Sequence, residues 1–375
     1  MSAAAPQGLG ARRRDAARHL LHPGQWKDSL TLSRQVSLRN ATLAGLQAAV
    51  VAAIALPLVH LSPWPHLIGF ASLGALVALF GRFAPAGRRG RILLQCGLLQ
   101  SAAVLIMSTA AWMGASVGVQ LGLLALSCGV LVFLCTAGRF GPPGPLIFVF
   151  AAGASIAPSL SLEQVIERTA ATAIVSALAW GLCAATEAIR QRSTDARPFP
   201  QEALRPLGHR LIAAVRISAG AGAAILVSLA LDGRHPAWAA MGALAVMQGP
   251  HLHMVMNRAL QRMAGTVVGA LLAWLLLAQH PSIGVVILAV AGLQLLTEMV
   301  IGTNYGFGQV LVTPMALLMT SLGAAGRLGP EMAPERIVET FVGVAVGVAL
   351  SVILSSLDDR RHLAERRRGS AGGLA

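Results

Sequence analysis

ATLAGLQAAVVAAIALPLVH (Ala41–His60) and LIAAVRISAGAGAAILVSLAL (Leu211–Leu231) are each about twenty residues long and carry at most one charge. About 20 mostly apolar residues in a helix cross a bilayer core of about 30 Å. Each stretch therefore reads as a membrane span. Working outward, Ala41–Ala188 holds six such segments: Ala41–His60, Trp64–Phe80, Ile92–Trp112, Val117–Thr136, Pro143–Ile156 and Val165–Ala185. Leu211–Ser356 holds six more in the same order: Leu211–Leu231, Pro236–Gly249, Met263–Ala278, Ile283–Val300, Tyr305–Ser321 and Ile337–Ser355. The reading is an all-α polytopic membrane protein with about 12 transmembrane helices, arranged as two parallel six-helix repeats. An even number of spans per half makes the repeats parallel, and a shared site is then expected where they meet.

The rest of the chain divides into an Arg-rich segment at 1–40, a linker at 189–210 and a basic tail at 357–375. The stretch from Trp26 to Asn40 is predicted to lie on the membrane surface as an amphipathic helix. The chain is 55% hydrophobic and only 12% charged, with a mean hydropathy of +0.68. Soluble domains carry about 25% charged residues. Net charge is +14, but only Lys27 is a lysine and no basic patch has interleaved aromatics, which argues against nucleic acid. With the N-terminus inside, 24 of the 29 basic residues fall on inner loops and tails. Arg168, Arg234, Arg327 and Arg336 fall outside. This bias puts both termini in the cytoplasm of a multi-pass inner-membrane protein. Cys96, Cys128, Cys135 and Cys183 lie inside apolar segments and read as buried fillers.

The second and fifth segments of each half are short and flanked or interrupted by Pro and Gly: Pro63, Pro65, Pro143 and Pro145, then Pro236, Pro250 and Pro314. Such interrupted segments leave backbone groups free to bind ions. Thr313-Pro314 lies mid-span, and its proline frees the carbonyl near Val310. That reads either as a substrate site or as a packing kink. Arg258 and Arg262 are four apart and share a helix face. They read either as positive-inside anchors or as guanidinium donors for a carboxylate. Tyr305, the chain's one tyrosine, reads either as an interfacial belt residue or as a stacking platform at the inner entrance. Glu298 is the one acid well inside a predicted span. It is either a proton-coupling carboxylate or the ion-pair partner of Arg258 or Arg262. His60, His66 and His235 sit on the outer side.

His251-Leu252-His253 lacks helical ligand spacing and a neighbouring carboxylate, so no metal or cofactor is expected. No nucleophile elbow, triad or phosphate loop is present, so no catalytic residues and no enzyme activity are expected. Gly114-x-x-x-Gly118-x-x-x-Gly122, Gly265-x-x-x-Gly269 and Gly343-x-x-x-Gly347 predict close helix contacts within the bundle or across a homodimer.

Four stretches carry a family resemblance: His235-Pro236-Ala237-Trp238; Asn257-Arg258-Ala259-Leu260-Gln261-Arg262; Asn304-Tyr305-Gly306 with Thr313-Pro314; and Arg336-Ile337-Val338-Glu339-Thr340. Together they resemble the fusaric acid resistance-type membrane domain of the aromatic acid exporter superfamily. The resemblance covers about Leu211–Ser355. The first half matches only in span pattern and lacks the Asn-Tyr and Thr-Pro pairs. Larger relatives insert a soluble domain, where this chain has a linker of about twenty residues. The resemblance implies efflux of small organic anions, aromatic carboxylic acids foremost, driven in part by protons. A physical mechanism for that activity places Arg258, Arg262, Asn304, Tyr305, Thr313 and Trp238 around the substrate, with Phe307 nearby and Glu298 exchanging a proton. The expected partners are the lipid bilayer, from the apolar segments, and a homodimer, from the glycine stripes, with a periplasmic adaptor left open by the resemblance. The alternatives are a passive organic-anion channel, which the membrane voltage would drive by about 2.3 kcal/mol per charge per 100 mV, and an envelope assembly protein with no transport of its own.

Overall fold

The computed structural model describes residues 29–85, 87–194, 198–199, 204–249, 252–323 and 329–355. Among these, the chain forms twelve α-helices. The first six are α1 (Leu38–Leu61), α2 (Ile68–Ala75, extended by 3-10 turns to Pro65–Leu79), α3 (Arg89–Trp112), α4 (Val117–Gly138), α5 (Leu146–Ala154) and α6 (Leu162–Ala185). The second six are α7 (Leu207–Ala230), α8 (Pro236–Met247), α9 (Leu252–Leu277), α10 (Ile283–Val300), α11 (Tyr305–Gly323) and α12 (Met332–Ile353). Among the described residues nine helices are long and apolar enough to cross a membrane, and α2 and α8 are shorter apolar helices. The protein is a multi-pass membrane protein.

Local chemistry sets the helix starts. Ser37, Ser116 and Ser161 accept from the third backbone N–H beyond them, and Gln164 closes a capping box with Ser161. Pro236 opens α8, where its missing N–H leaves nothing unpaired.

Helices α2 and α8 are buried almost all round, so a short helix sheathed by protein exposes no backbone ends to lipid. The expectation of a short fifth segment in each half holds for α5, of nine residues, and fails for α11, which runs 19 residues through Pro314. Proline leaves the Val310 carbonyl without its helical partner. Gly269 of α9 packs against that carbonyl, and the helix continues.

The main helix pairings of one half recur in the other. Helix α6 packs on α2 and α3 as α12 packs on α8 and α9, and α3 packs on α5 as α9 packs on α11. Between the halves, α1 packs on α10 as α7 packs on α4. One apolar core cluster runs through both halves.

Small residues make the close approaches. A Cβ on Gly343 would run into the Ala239 carbonyl, one on Gly347 would lie 3.0 Å from Ala243 Cα, and one on Gly265 would lie 2.6 Å from the Gly306 carbonyl. Gly118 and Gly122 behave differently: no other helix comes within 4 Å of a Cβ there, and Gly114 sits in a turn at φ +78°. That stripe faces out of the bundle and makes none of the contacts expected of it inside. We expect Gly343→Val to destabilise the protein by about 3 kcal/mol, because the obstacle is backbone and cannot move aside. Gly122→Val should leave stability within about 0.5 kcal/mol. Thermal unfolding of the two variants in detergent checks the contrast.

Of the stretch Trp26–Asn40 expected to lie as a surface helix, Ser29 is helical, residues 31–37 form an irregular strap and Leu38–Asn40 open α1. The strap is tied to the turn between α10 and α11. Ser33 N–H donates to the Thr303 carbonyl (2.8 Å) and Gln35 Nε2 to the Glu298 carbonyl (3.1 Å). Leu30, Leu32 and Val36 point outward. Tertiary hydrogen bonds outcompeted the local apolar pattern. Residues 1–28 and 356–375, which hold most of the basic segment and tail, lie outside the described residues, as do His251 and the side chain of His253.

Candidate functional site

Four helices of the second half carry buried polar side chains toward one another. On α9, Arg262 (1% exposed) and Thr266 are four apart and share a face. On α12, Arg336 (3% exposed) and Thr340 do the same. Helix α11 brings Tyr305, Gln309 and Thr313, and α8 brings Trp238. Helix α9 packs on both α11 and α12, and α12 on α8.

The hydrogen bonds run in a chain. Arg262 Nη1 donates to the Tyr305 hydroxyl at 3.0 Å and to Gln309 Oε1 at 3.4 Å. Gln309 Nε2 donates to Thr313 Oγ1 (3.3 Å), and Thr313 Oγ1 donates to the Gln309 carbonyl (2.9 Å). The Arg336 guanidinium lies 5.1 Å over the Trp238 ring, and His235 stacks on that ring at 4.1 Å with planes 11° apart. Arg336 is within electrostatic reach of Arg262, Tyr305 and Glu339.

The cluster leaves donors unmet. Arg262 Nε, Arg336 Nε and Nη1, Thr266 Oγ1 and Thr340 Oγ1 are buried without a hydrogen-bond partner among the described residues. Among the described residues, carboxylates lie within 4.0 Å of Arg82, Arg89, Arg190 and Arg234, but not of Arg262 or Arg336. A buried unpaired guanidinium is costly unless something answers its charge. Two of them, with hydroxyls and an indole face, make a ready receptor for an anion.

Among the described residues the buried arginines Arg82, Arg89 and Arg190, outside the second half, differ in having carboxylates within 4.0 Å. Arg89 on α3 stands where the basic cluster before the third segment corresponds to Arg258–Arg262. It is buried, donates to Gln47 Oε1 (2.7 Å) and the Ala78 carbonyl (3.2 Å), and lies 3.7 Å from Glu187. A cavity of about 300 Å³ opens at His66, Phe70, Glu167 and Arg168. There His66 lies 3.0 Å from Glu167, and Arg168 donates to the Ser155 carbonyl (3.5 Å) and sits 5.0 Å over the Phe70 ring.

Of the residues singled out from sequence, Arg262, Tyr305, Thr313 and Trp238 fall in the cluster. Arg258 lies half-buried one turn before Arg262. Asn304 takes another place. Its Oδ1 accepts from Gly306 N–H (2.7 Å), and its Nδ2 donates to the Ser29 and Thr31 carbonyls (3.1 Å each), so it clamps the strap. Gln261 Nε2 adds a bond to the Ser29 carbonyl (2.7 Å). Phe307 is 52% exposed and points away.

Glu298 (2% exposed) pairs with neither Arg258 nor Arg262 but with buried Arg82, from the turn after α2. The reason is packing: α10 lies chiefly against α1 and α11, so its acidic face meets the first half. Burial pushes the Arg82 guanidinium down to about 10, still a cation at neutral pH. Sequence reasoning missed Arg336, counted as a loop arginine, together with Gln309, Thr266, Thr340 and Arg82. The four-residue spacing of Arg336 and Thr340 was the available signal.

The clamp can be tested. Asn304→Ala removes two bonds to the strap, worth about 1–2 kcal/mol together. A Ser29→Cys probe, buried in the docked strap, should then label with maleimide about tenfold faster. All four native cysteines are buried, so background is low.

Comparison with known proteins agrees with this assignment to the second half. Residues 223–350 match the family described as fusaric acid resistance protein-like. A 110-residue stretch is 36% identical to the uncharacterized membrane protein YvaC of Bacillus subtilis (strain 168). That match covers 29% of this chain and 17% of the relative's length. No solved structure matches the chain. All eight residues of the cluster lie inside residues 223–350, the segment of this multi-pass membrane protein that is similar to the fusaric acid resistance protein-like family.

Proposed function

We propose that this protein exports small organic anions, aromatic carboxylic acids foremost, across a bacterial-type inner membrane. The observation that supports this reading is the pair Arg262 and Arg336: two buried guanidiniums without a carboxylate partner among the described residues, inside the matched segment. A carboxylate would take the free Nε and Nη donors, and its ring would lie near Trp238 and Tyr305. The cluster is packed shut, so loading requires helices of the second half to part. With both termini cytoplasmic, the strap clamped by Asn304 lies on the loading side, and the His235 end of α8 lies on the release side.

Counterflow of radiolabelled benzoate in proteoliposomes tests the reading. Trans-stimulated uptake that Arg262→Gln or Arg336→Gln abolishes supports it. Flux that follows voltage alone, with no trans-stimulation, identifies a channel. Absence of flux from well-folded protein with any acid tried favours a non-transport role.

A further inference from the structure

We infer that Glu339 is the proton-binding carboxylate of the anion site, and that its proton and the anion bind together. This rests on the reading of Arg262 and Arg336 as the anion site. Among the described residues only two carboxylates are buried, Glu298 and Glu339, each 2% exposed. The charge of Glu298 is answered by Arg82 in direct contact. Glu339 has no cation within ion-pair distance among those residues. Its oxygens are held by neutral donors: the Ser228 hydroxyl to Oε2 at 2.7 Å and the His235 N–H to Oε1 at 3.2 Å. Gly233 closes the cradle, because a Cβ there would collide with Oε1 and with the Ser228 hydroxyl.

The cradle suits both forms of the group. The peptide N–H serves the carboxylate. The Ser228 hydroxyl can turn from donor to acceptor, so a protonated Oε2 can donate to Ser228 Oγ in place of the present bond. A proton can reach the site through groups at the same helix end. Glu335 lies 2.8 Å from His235 Nδ1 and 3.2 Å from Arg234, and both the His235 ring and Glu335 are partly exposed. The charged and titratable groups around Glu339 are Glu335 and Arg336 on α12 and Asp232, Arg234 and His235 in the turn before α8, while Arg262 on α9 and Tyr305 on α11 lie near Arg336. Helix α7 contributes Ser228.

The sign of the coupling follows from charge. Arg336 lies three residues before Glu339 on α12 and feels its field. An ionised Glu339 partly answers Arg336 and repels an incoming anion. A proton on Glu339 removes that charge and leaves both guanidiniums to the anion. By linkage, the bound anion raises the affinity of Glu339 for its proton by the same factor.

The test is calorimetric binding of benzoate to the full chain in detergent between pH 5 and 8. Wild type should bind about tenfold more weakly at pH 8 than at pH 5, within the usual range of such coupling. Glu339→Gln, which keeps the shape, should bind tightly at both. Glu298→Gln should keep the wild-type dependence. A wild-type pH dependence in Glu339→Gln, or its loss in Glu298→Gln, would overturn the assignment. Should Glu339→Gln fail to elute as a single species, Ser228→Ala takes its place. Loss of that hydrogen bond should move the midpoint by about one pH unit, and an unmoved midpoint counts against the proposal. Infrared difference spectra between pH 5 and 8 need no ligand. A carboxylic-acid band present in wild type and absent from Glu339→Gln locates the proton on Glu339, and one that persists in Glu339→Gln refutes it. Failure of wild type to bind benzoate while that band still titrates would sink the anion site and the coupling together, with the proton still located on Glu339.

Discussion

Replacing Arg336 with glutamine is expected to weaken benzoate binding by roughly 10- to 100-fold. A hydrogen bond to a charged group contributes about 1.5–3 kcal/mol, and each 1.4 kcal/mol is about tenfold. Arg262→Gln should weaken binding comparably, although Arg262 is also tied to Tyr305 and Gln309. The double variant should lose less than the sum of the two, because both guanidiniums serve one ligand. Arg336→Lys should not rescue, since an ammonium lacks the planar fork and stacks less well over Trp238. The control is Arg89→Gln. That arginine is equally buried, but its Nη2 donates to Gln47 and the Ala78 carbonyl and its charge has Glu187 within 3.7 Å, so its loss should lower stability and leave benzoate affinity within twofold, about 0.4 kcal/mol. Equal effects of Arg89→Gln and Arg336→Gln on affinity would remove the distinction between a structural arginine and a ligand-binding one.

Arg82→Ala should destabilise the protein by about 3–5 kcal/mol, at least as much as Gly343→Val, because it leaves the Glu298 carboxylate buried and alone. The pair joins the turn after α2 to α10 and so ties the two halves together. Around it, Gly45 of α1 lets α10 approach closely: a Cβ there would meet Glu298 Cβ and Leu295 Cα at 3.0 Å. Replacing both members with methionine should cost far less than losing one, since a buried ion pair recovers little beyond its own desolvation. Thermal unfolding of Arg82→Ala, Glu298→Met and the double methionine variant in one detergent measures this. If the double variant is as unstable as Arg82→Ala, the loss comes from packing and not from a stranded charge.

The membrane class, the number of helices and most of their ends were legible in the chain, because each rests on a short-range rule. Twenty apolar residues must form a helix in lipid, where every backbone polar group needs an internal partner. Ser37, Ser116 and Ser161 cap within three residues of themselves. Gly265, Gly269, Gly343 and Gly347 announced close contacts at the spacing the structure uses. The strap was illegible: its apolar residues suggested an amphipathic helix, yet the bonds that hold it come from Gln261, Thr303 and Asn304, more than 200 positions away.

The candidate site divides along the same line. Arg262, Tyr305, Thr313 and Trp238 could be named because they stand in segments with a recognisable pattern. Arg336 stands in such a segment too but was counted with the outer loops, because a basic residue near a span end looks the same whether it faces water or the bundle. The partner of Glu298 was misjudged for a related reason: the nearest arginines along the chain on the inner side are on α9, whereas α10 turns its acidic face to the first half and meets Arg82. The sequence alone determined that this protein is a helical membrane bundle, since hydrophobic length and helix capping act locally. Only the tertiary structure decided which buried charges are answered and which are left open, because that depends on which helix faces meet, and the meeting residues lie far apart in the chain.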